Sequence, residues 1–217
     1  MPAPAPPWDH PDWYDLHDTT FTAGSEREPE HYRELVLALP PLDQEDHLCD
    51  VGAGTGKLAA LIAQGYPRLG QVTLLEPNGP KLERAILRLA KMLPSAQFQK
   101  IEAPLGEKKE LPAVEADIVT AGSVFMPIME LRGGTLGDGL AWMRQGLQEV
   151  LTLLKPGGWL FVLETMGLPW ARGSLSDPVR RLTFLEFITE LQTAGFDKVE
   201  CVYRFRDRAT WRGQKRV

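Results

Sequence analysis

Two cysteines in 217 residues are too few for a disulfide framework. Cys49 and Cys201 each lie in an apolar, strand-like run with no metal-ligand spacing, so they read as buried, reduced thiols of a reducing compartment. Long apolar runs are missing too. No stretch approaches the ~20 residues of a membrane-spanning helix. The start, Met1-Pro2-Ala3-Pro4-Ala5-Pro6-Pro7, has neither the basic opening nor the apolar centre of a secretory signal. The expected location is the cytoplasm. Positive charge is also in short supply. A formal net charge of −5 argues against a general nucleic-acid binder. The last fourteen residues depart from this, with Arg204, Arg206, Arg208, Arg212, Lys215 and Arg216 against the single acid Asp207. Such a tail is either a solvated edge strand or a rim that attracts an acidic acceptor or RNA.

What is present is the mix of a globular domain, 43% hydrophobic and 24% charged. Residues 1–28 read as an N-terminal extension, a candidate lid, in which Trp8, Trp13, Tyr14 and Phe21 follow no clear period. Residues 29–217 read as one domain. A helix is expected over Pro29–Leu39, with Tyr32, Leu35, Val36 and Leu39 at helical spacing and Pro40-Pro41 beyond. Strands and helices then alternate. Strands are expected at Leu48–Val51, Gln71–Glu76, Gln97–Ile101, Asp117–Ala121, Trp159–Glu164 and Lys198–Phe205, with a seventh in the last residues. Helices are expected over Lys57–Gln64, stopped by Gly65, and after the cap Asn78. Further helices are expected from the cap Asp138 to about Leu154, and from the cap Asp177 to just before Gly195. Phe125–Gly137 reads as a loop. Alternation of this kind predicts an α/β fold: a doubly wound sheet of about seven strands, mostly parallel with an antiparallel C-terminal strand, and helices on both faces. Ligands of such sheets bind beyond the carboxyl ends of the strands.

The loop after the first strand, Asp50-Val51-Gly52-Ala53-Gly54-Thr55-Gly56, is therefore the place to look. Glycine at every second position allows a sharp turn and close approach of backbone to a ligand. A phosphate-binding P-loop is excluded, because Val51 stands at its first glycine and Leu58 at its magnesium-binding hydroxyl. A nicotinamide-dinucleotide fingerprint would need glycine where Lys57 stands. The segment instead resembles the first motif of class I S-adenosylmethionine-dependent methyltransferases, an acid followed by Gly-x-Gly-x-Gly. The resemblance continues in order through Leu74-Leu75-Glu76-Pro77-Asn78, Ile101-Glu102-Ala103, Asp117–Gly122 and Leu154–Trp159, spread over residues 46–164.

The resemblance implies a Rossmann-like fold and S-adenosylmethionine as cofactor. It implies that Gly52, Ala53, Gly54 and Gly56 line the methionine part and that Asp50 holds its ammonium. Glu76 would hold the ribose diol, for which a two-oxygen carboxylate is geometrically suited. Glu102 would meet the adenine amino group, with Pro77 or Ala103 against the ring and Ala121 at the end of the fourth strand. Read singly, each acid is equally a solvated strand end, except Glu76, where function is favoured.

No motif carries a catalytic residue, because the leaving group is already activated and a base is needed only for a protonated nucleophile. Tyr14 and His17 in the extension are the candidates, the first against the cofactor and the second as a base; packing of the extension is the plainer account. His10, His17 and His31 fit no metal spacing. After the fourth strand the chain reads Ala121-Gly122-Ser123-Val124-Phe125-Met126-Pro127. The Asn/Asp-Pro-Pro-Tyr/Phe signature that receives an amide or base nitrogen in relatives is missing. Ser123, Phe125 and Met126, with Met129 and Trp142 nearby, are expected at the mouth of the site, which suggests an apolar or aromatic small-molecule acceptor. Methyl transfer to RNA or protein, or a non-catalytic cofactor-binding module, are the alternatives.

Overall fold

The computed structural model describes residues 28–107, 111–132, 136–167, 181–205 and 207–217. Seven strands form one sheet: β1 (His47–Val51), β2 (Gln71–Leu75), β3 (Gln97–Ile101), β4 (Ala116–Gly122), β5 (Leu154–Thr165), β6 (Phe196–Phe205) and β7 (Arg208–Lys215). Their order is β3-β2-β1-β4-β5-β7-β6. Strands β1 to β5 pair in parallel, while β7 runs antiparallel to both β5 and β6. The helices are α1 (Glu28–Ala38), α2 (Lys57–Gly65), α3 (Gly79–Ala90), α4 (Phe125–Arg132), α5 (Leu136–Leu153) and α6 (Phe184–Ala194).

Two-residue alternation sorts the sheet's side chains to two faces. Leu48, Val72, Leu74, Ile118, Phe161 and Leu163 join one buried cluster with Leu35 of α1, Ile62 of α2 and Leu89 of α3. Their neighbours Cys49, Val51, Val119, Ala121, Leu160 and Val162 join the other, with Met129 of α4, Leu147 of α5 and Phe187 of α6. Both faces are therefore covered, as the buried inner strands β1, β2, β4 and β5 require, while the edge strand β3 stays largely exposed. Trp211 of β7 anchors the second cluster, its ring 4.9 Å from that of Phe187 and 5.4 Å from that of Phe184.

The doubly wound architecture and its antiparallel C-terminal strand agree with the sequence pattern. Local boundaries differ in several places. The segment expected as a loop from Phe125 contains α4, with Pro127 in its first turn, where proline's missing N–H costs no helical bond. Helix α5 begins at Leu136, so Asp138 lies inside its first turn and favours the positive helix end rather than capping it. Helix α6 begins at Phe184, and the backbone N–H and hydroxyl of Thr183 both donate to the Glu186 carboxylate at 2.8 Å. Residues 181–183 are not helical, and the expected cap Asp177 falls outside the described residues. Gly65 closes α2 from within, the cap being Tyr66, whose N–H donates to the Ile62 carbonyl. Cys49 is buried as expected, whereas Cys201 is exposed on β6.

Candidate active site

The glycine loop leaves the carboxyl end of β1 through three left-handed glycines, with φ of 64° at Gly52, 52° at Gly54 and 77° at Gly56. Each has its own surroundings. A Cβ on Gly56 would stand 2.8 Å from the Ala85 Cβ, so this glycine lets α2 start against α3. A Cβ on Gly52 would stand 2.5 Å from Val124 Cγ2, whereas at Gly54 no described residue comes nearer than the Gly52 carbonyl oxygen at 4.0 Å. Among the described residues, the space beside Gly54 is open. Ala53 donates to the Leu75 carbonyl at 3.1 Å, which ties the loop to the end of β2. Arg88 of α3 donates to the Thr55 carbonyl at 2.8 Å and holds the loop from the helix side.

Glu76 stands one residue beyond β2, with 7% of its surface exposed. Its carboxylate accepts from the Gly54 N–H at 3.0 Å and from the Asn78 N–H at 3.1 Å. Asn78 in turn caps α3 by accepting from the Lys81 N–H. Glu76 thus joins the glycine loop to the start of α3. Pro77 is exposed beside it. Glu102, exposed after β3, hangs over the same helix start: a Cβ on Gly79 would lie 2.9 Å from both of its carboxylate oxygens. Ala103 is half-buried next to it.

Asp50 lies under the loop and is 1% exposed. Thr120 of β4 donates to its Oδ1 at 2.7 Å, and Oδ2 is buried with no hydrogen-bond partner. Burial pushes its carboxyl up to about 7 against the Thr120 hydroxyl and the Ala59 backbone amide, which lower it, and the Glu76 charge adds to the rise. Ala121 pairs with Val51 and is fully buried within the sheet.

The residues expected at the mouth divide. Ser123 is exposed at the end of β4, in a left-handed conformation with φ of 56°. Phe125 and Met126 are instead core residues, 0% and 1% exposed, and the Phe125 ring lies 6.4 Å from that of Phe187. They are turned inward because α4, unforeseen in the sequence, directs its first turn at the sheet. Met129 is buried with them, and Trp142 packs over Gly106. Tyr14, His10 and His17 fall outside the described residues, as does the side chain of His31. Among the described residues no group of His, Cys, Asp and Glu is placed to hold a metal ion. Nor does any described helix have the length and apolarity to cross a membrane.

Three neighbours of this end of the sheet carried no sequence signal as site residues. Glu164, near the end of β5, is 1% exposed, and its Oε1 accepts from the N–H groups of Val124 at 2.8 Å and Phe125 at 2.6 Å. Its Oε2 is buried without a partner. Burial pushes this carboxyl up to about 8, opposed by the amides of Phe125, Val124 and Met126 and by the charge of Arg181. Tyr32 of α1 lies across the end of β4, its ring 3.0 Å from where a Gly122 Cβ would be. Arg88 is the third. All three act across more than thirty residues of chain, beyond the reach of local pattern.

Two cations of the basic tail are matched by acids. Arg212 donates to Glu200 at 2.6 Å and Arg216 to Asp197 at 2.9 Å. Lys215 donates to the Leu154 carbonyl, and the Arg204 guanidinium lies 3.7 Å from the Phe184 ring centre. Arg206 falls outside the described residues.

Residues 49–162, more than half of the chain, match the methyltransferase domain family. A release factor glutamine methyltransferase of Koribacter versatilis is 30% identical over 172 residues, covering 71% of this chain and 56% of that protein. The ubiquinone/menaquinone biosynthesis C-methyltransferase UbiE of Pseudomonas fluorescens is 28% identical over 151 residues, covering 70% and 53%. The chain thus spans about half the length of the curated relatives it matches. Among solved structures, a Thermotoga maritima S-adenosylmethionine-dependent methyltransferase, described as a possible histamine N-methyltransferase, superposes with a TM-score of 0.64 at 15% identity. That likeness covers 96% of this chain and 98% of the other, and it concerns the fold.

Proposed function

The chain belongs to the class I S-adenosylmethionine-dependent methyltransferases, and we propose that it methylates an oxygen, nitrogen or sulfur atom of a small-molecule acceptor. The observation that carries the cofactor part is the junction at Glu76. One carboxylate beside an open, left-handed glycine is tied at once to the loop and to the start of α3. The residues present fit such a cofactor. Asp50 offers a buried, unpartnered oxygen of the sign an ammonium needs, and the space over Gly54 suits an approaching methionine chain. Glu76 would hold the ribose hydroxyls and Glu102 the adenine amino group, with Pro77 and Ala103 against the ring.

When bound, S-adenosylmethionine supplies a methyl carbon on a positively charged sulfur. The chain's own task is then to orient the acceptor and exclude water. Residues 1–28 would close over the site as a lid, with Tyr14 against the cofactor and His17 taking a proton from acceptors that arrive protonated. Ser123 would stand at the acceptor side.

The release-factor relative brings a protein acceptor into consideration. Here Gly122-Ser123-Val124-Phe125 stands where an amide-receiving signature would be needed, which favours the small-molecule reading. Calorimetric titration with S-adenosylmethionine, S-adenosylhomocysteine and NADH tests the cofactor. Micromolar binding of the first two, lost in Glu76→Ala, is expected, and binding of NADH instead would refute it. A screen with labelled methyl groups over small molecules, release factor and tRNA tests the acceptor.

A further inference from the structure

The turn from β4 into α4 is held by an acid from another strand. Ser123 donates its N–H to the Leu163 carbonyl at 2.7 Å, and the next two amides, of Val124 and Phe125, converge on Oε1 of Glu164. Ser123 is held in a left-handed backbone conformation, which strains any residue other than glycine. Such strain persists only where the surroundings fix it, and here three consecutive amides are fixed by β5. Val124 is then set against the glycine loop, its Cγ2 within 2.5 Å of the position a Gly52 Cβ would take. Gly52 cannot move toward β4 without displacing the Val124 side chain, whose backbone is fixed by its bond to Glu164.

We propose that Glu164 is a positioning residue of the methionine-binding loop, which acts through the β4–α4 turn and Val124 to set the conformation of Gly52. This rests on the reading of the glycine loop as the methionine cradle. A helix start needs no such residue for its own sake, because a serine or aspartate at the cap satisfies the same amides at the surface. Here the acceptor is a buried carboxyl whose second oxygen goes without a partner, a costly choice for a plain cap. What it secures is a fixed distance between β5 and the glycine loop, across the end of β4.

The test combines calorimetric binding of S-adenosylhomocysteine with amide hydrogen exchange on the full chain. Glu164→Ala should weaken binding about tenfold and speed exchange at Val124, Phe125, Gly52 and Gly54. Glu164→Gln keeps an acceptor oxygen and should bind within about threefold of the wild type. Val124→Ala leaves the carboxylate and the Phe125 bond in place. It should still weaken binding and speed exchange at Gly52, but not at Phe125. Wild-type affinity and unchanged Gly52 exchange in folded Glu164→Ala would overturn the proposal and leave Glu164 as a core cap. If Glu164→Ala does not fold, wild-type affinity in Val124→Ala overturns it alone. Should the wild type bind no S-adenosylhomocysteine, the cofactor reading fails, while the exchange data still decide whether Glu164 controls Gly52.

Discussion

The Thr120 hydroxyl donates to Oδ1 of Asp50 at 2.7 Å, from β4 to β1, and leaves Oδ2 of that carboxyl buried and unpartnered. Half of the acid is thus satisfied by the sheet, and the other half is the oxygen proposed to meet the cofactor's ammonium. Burial raises the carboxyl to about 7, so over the neutral range it passes from neutral to charged. A cationic ammonium favours the charged form. The affinity for S-adenosylhomocysteine should therefore rise between about pH 5.5 and 7.5, and Asp50→Asn should flatten that profile while lowering the affinity.

The same displacement bears on the unliganded protein with a definite sign. An unfolded aspartate titrates near 3.9, so between about pH 4 and 7 the folded chain holds the extra proton. Stability from this group is present below about pH 4 and is lost as the pH rises through 7. Asp50→Asn should match the wild type in denaturant melts near pH 4 and exceed it near pH 8. The gain should approach about 1.4 kcal/mol for every pH unit that separates the folded and unfolded titrations. Equal melts at both pH values would show that Asp50 is not a raised acid.

Glu76 should be the most damaging single position. Its removal leaves the Gly54 and Asn78 amides without their acceptor and takes away the group proposed to hold the ribose. Glu76→Ala should reduce S-adenosylhomocysteine affinity by more than about a hundredfold, since several hydrogen bonds to a charge, at roughly 1.5–3 kcal/mol each, go together. Gly54 and Asn78 donate to different oxygens of Glu76, so Glu76→Gln keeps one of the two amide bonds and should melt between the wild type and Glu76→Ala while binding remains impaired. Calorimetry and thermal melts on the pair separate the two roles.

These sites were legible to different degrees, for physical reasons. The glycine loop and the strand-end acids stand out because their spacing within a few residues sets the backbone. The helix at Phe125–Arg132 was hidden, since Met126-Pro127 and the glycines at 133 and 134 imitate a loop. Asp177-Pro178 likewise offers a cap signal ahead of the pair that marks the helix start, Thr183 and Glu186. Glu164 looked like an ordinary strand end because its partners lie forty and thirty-nine residues away. Burial of Phe125 and Met126 followed from the hidden helix.

Gly54 and Gly56 should behave differently when replaced, although both are left-handed. Gly56→Ala drives a methyl to 2.8 Å from the Ala85 Cβ and adds backbone strain, so a loss of about 1–3 kcal/mol is expected before any ligand is present. Gly54→Ala meets no atom of the described residues nearer than 4.0 Å and should lose only about 1 kcal/mol. Its methyl would occupy the space proposed for the cofactor, so binding should fall tenfold or more in a protein that remains folded. Undiminished binding in Gly54→Ala would remove the methionine chain from that space.

The C-terminal arginines decide between a rim for RNA and a self-neutralised edge. Arg212 and Arg216 are matched to Glu200 and Asp197 on the adjoining strand, and Arg204 lies against the Phe184 ring. Cations already paired have few counterions to release from a nucleic acid, and that release is what drives such binding. The chain should therefore show no tRNA binding at about 150 mM salt and a shallow dependence below it. Replacing both Glu200 and Asp197 by their amides frees two of the arginines and should increase tRNA binding at low salt, measured by filter retention. Tight wild-type binding with a steep salt slope, unaltered by the double variant, would instead make the tail a working RNA contact and return RNA to the candidate acceptors.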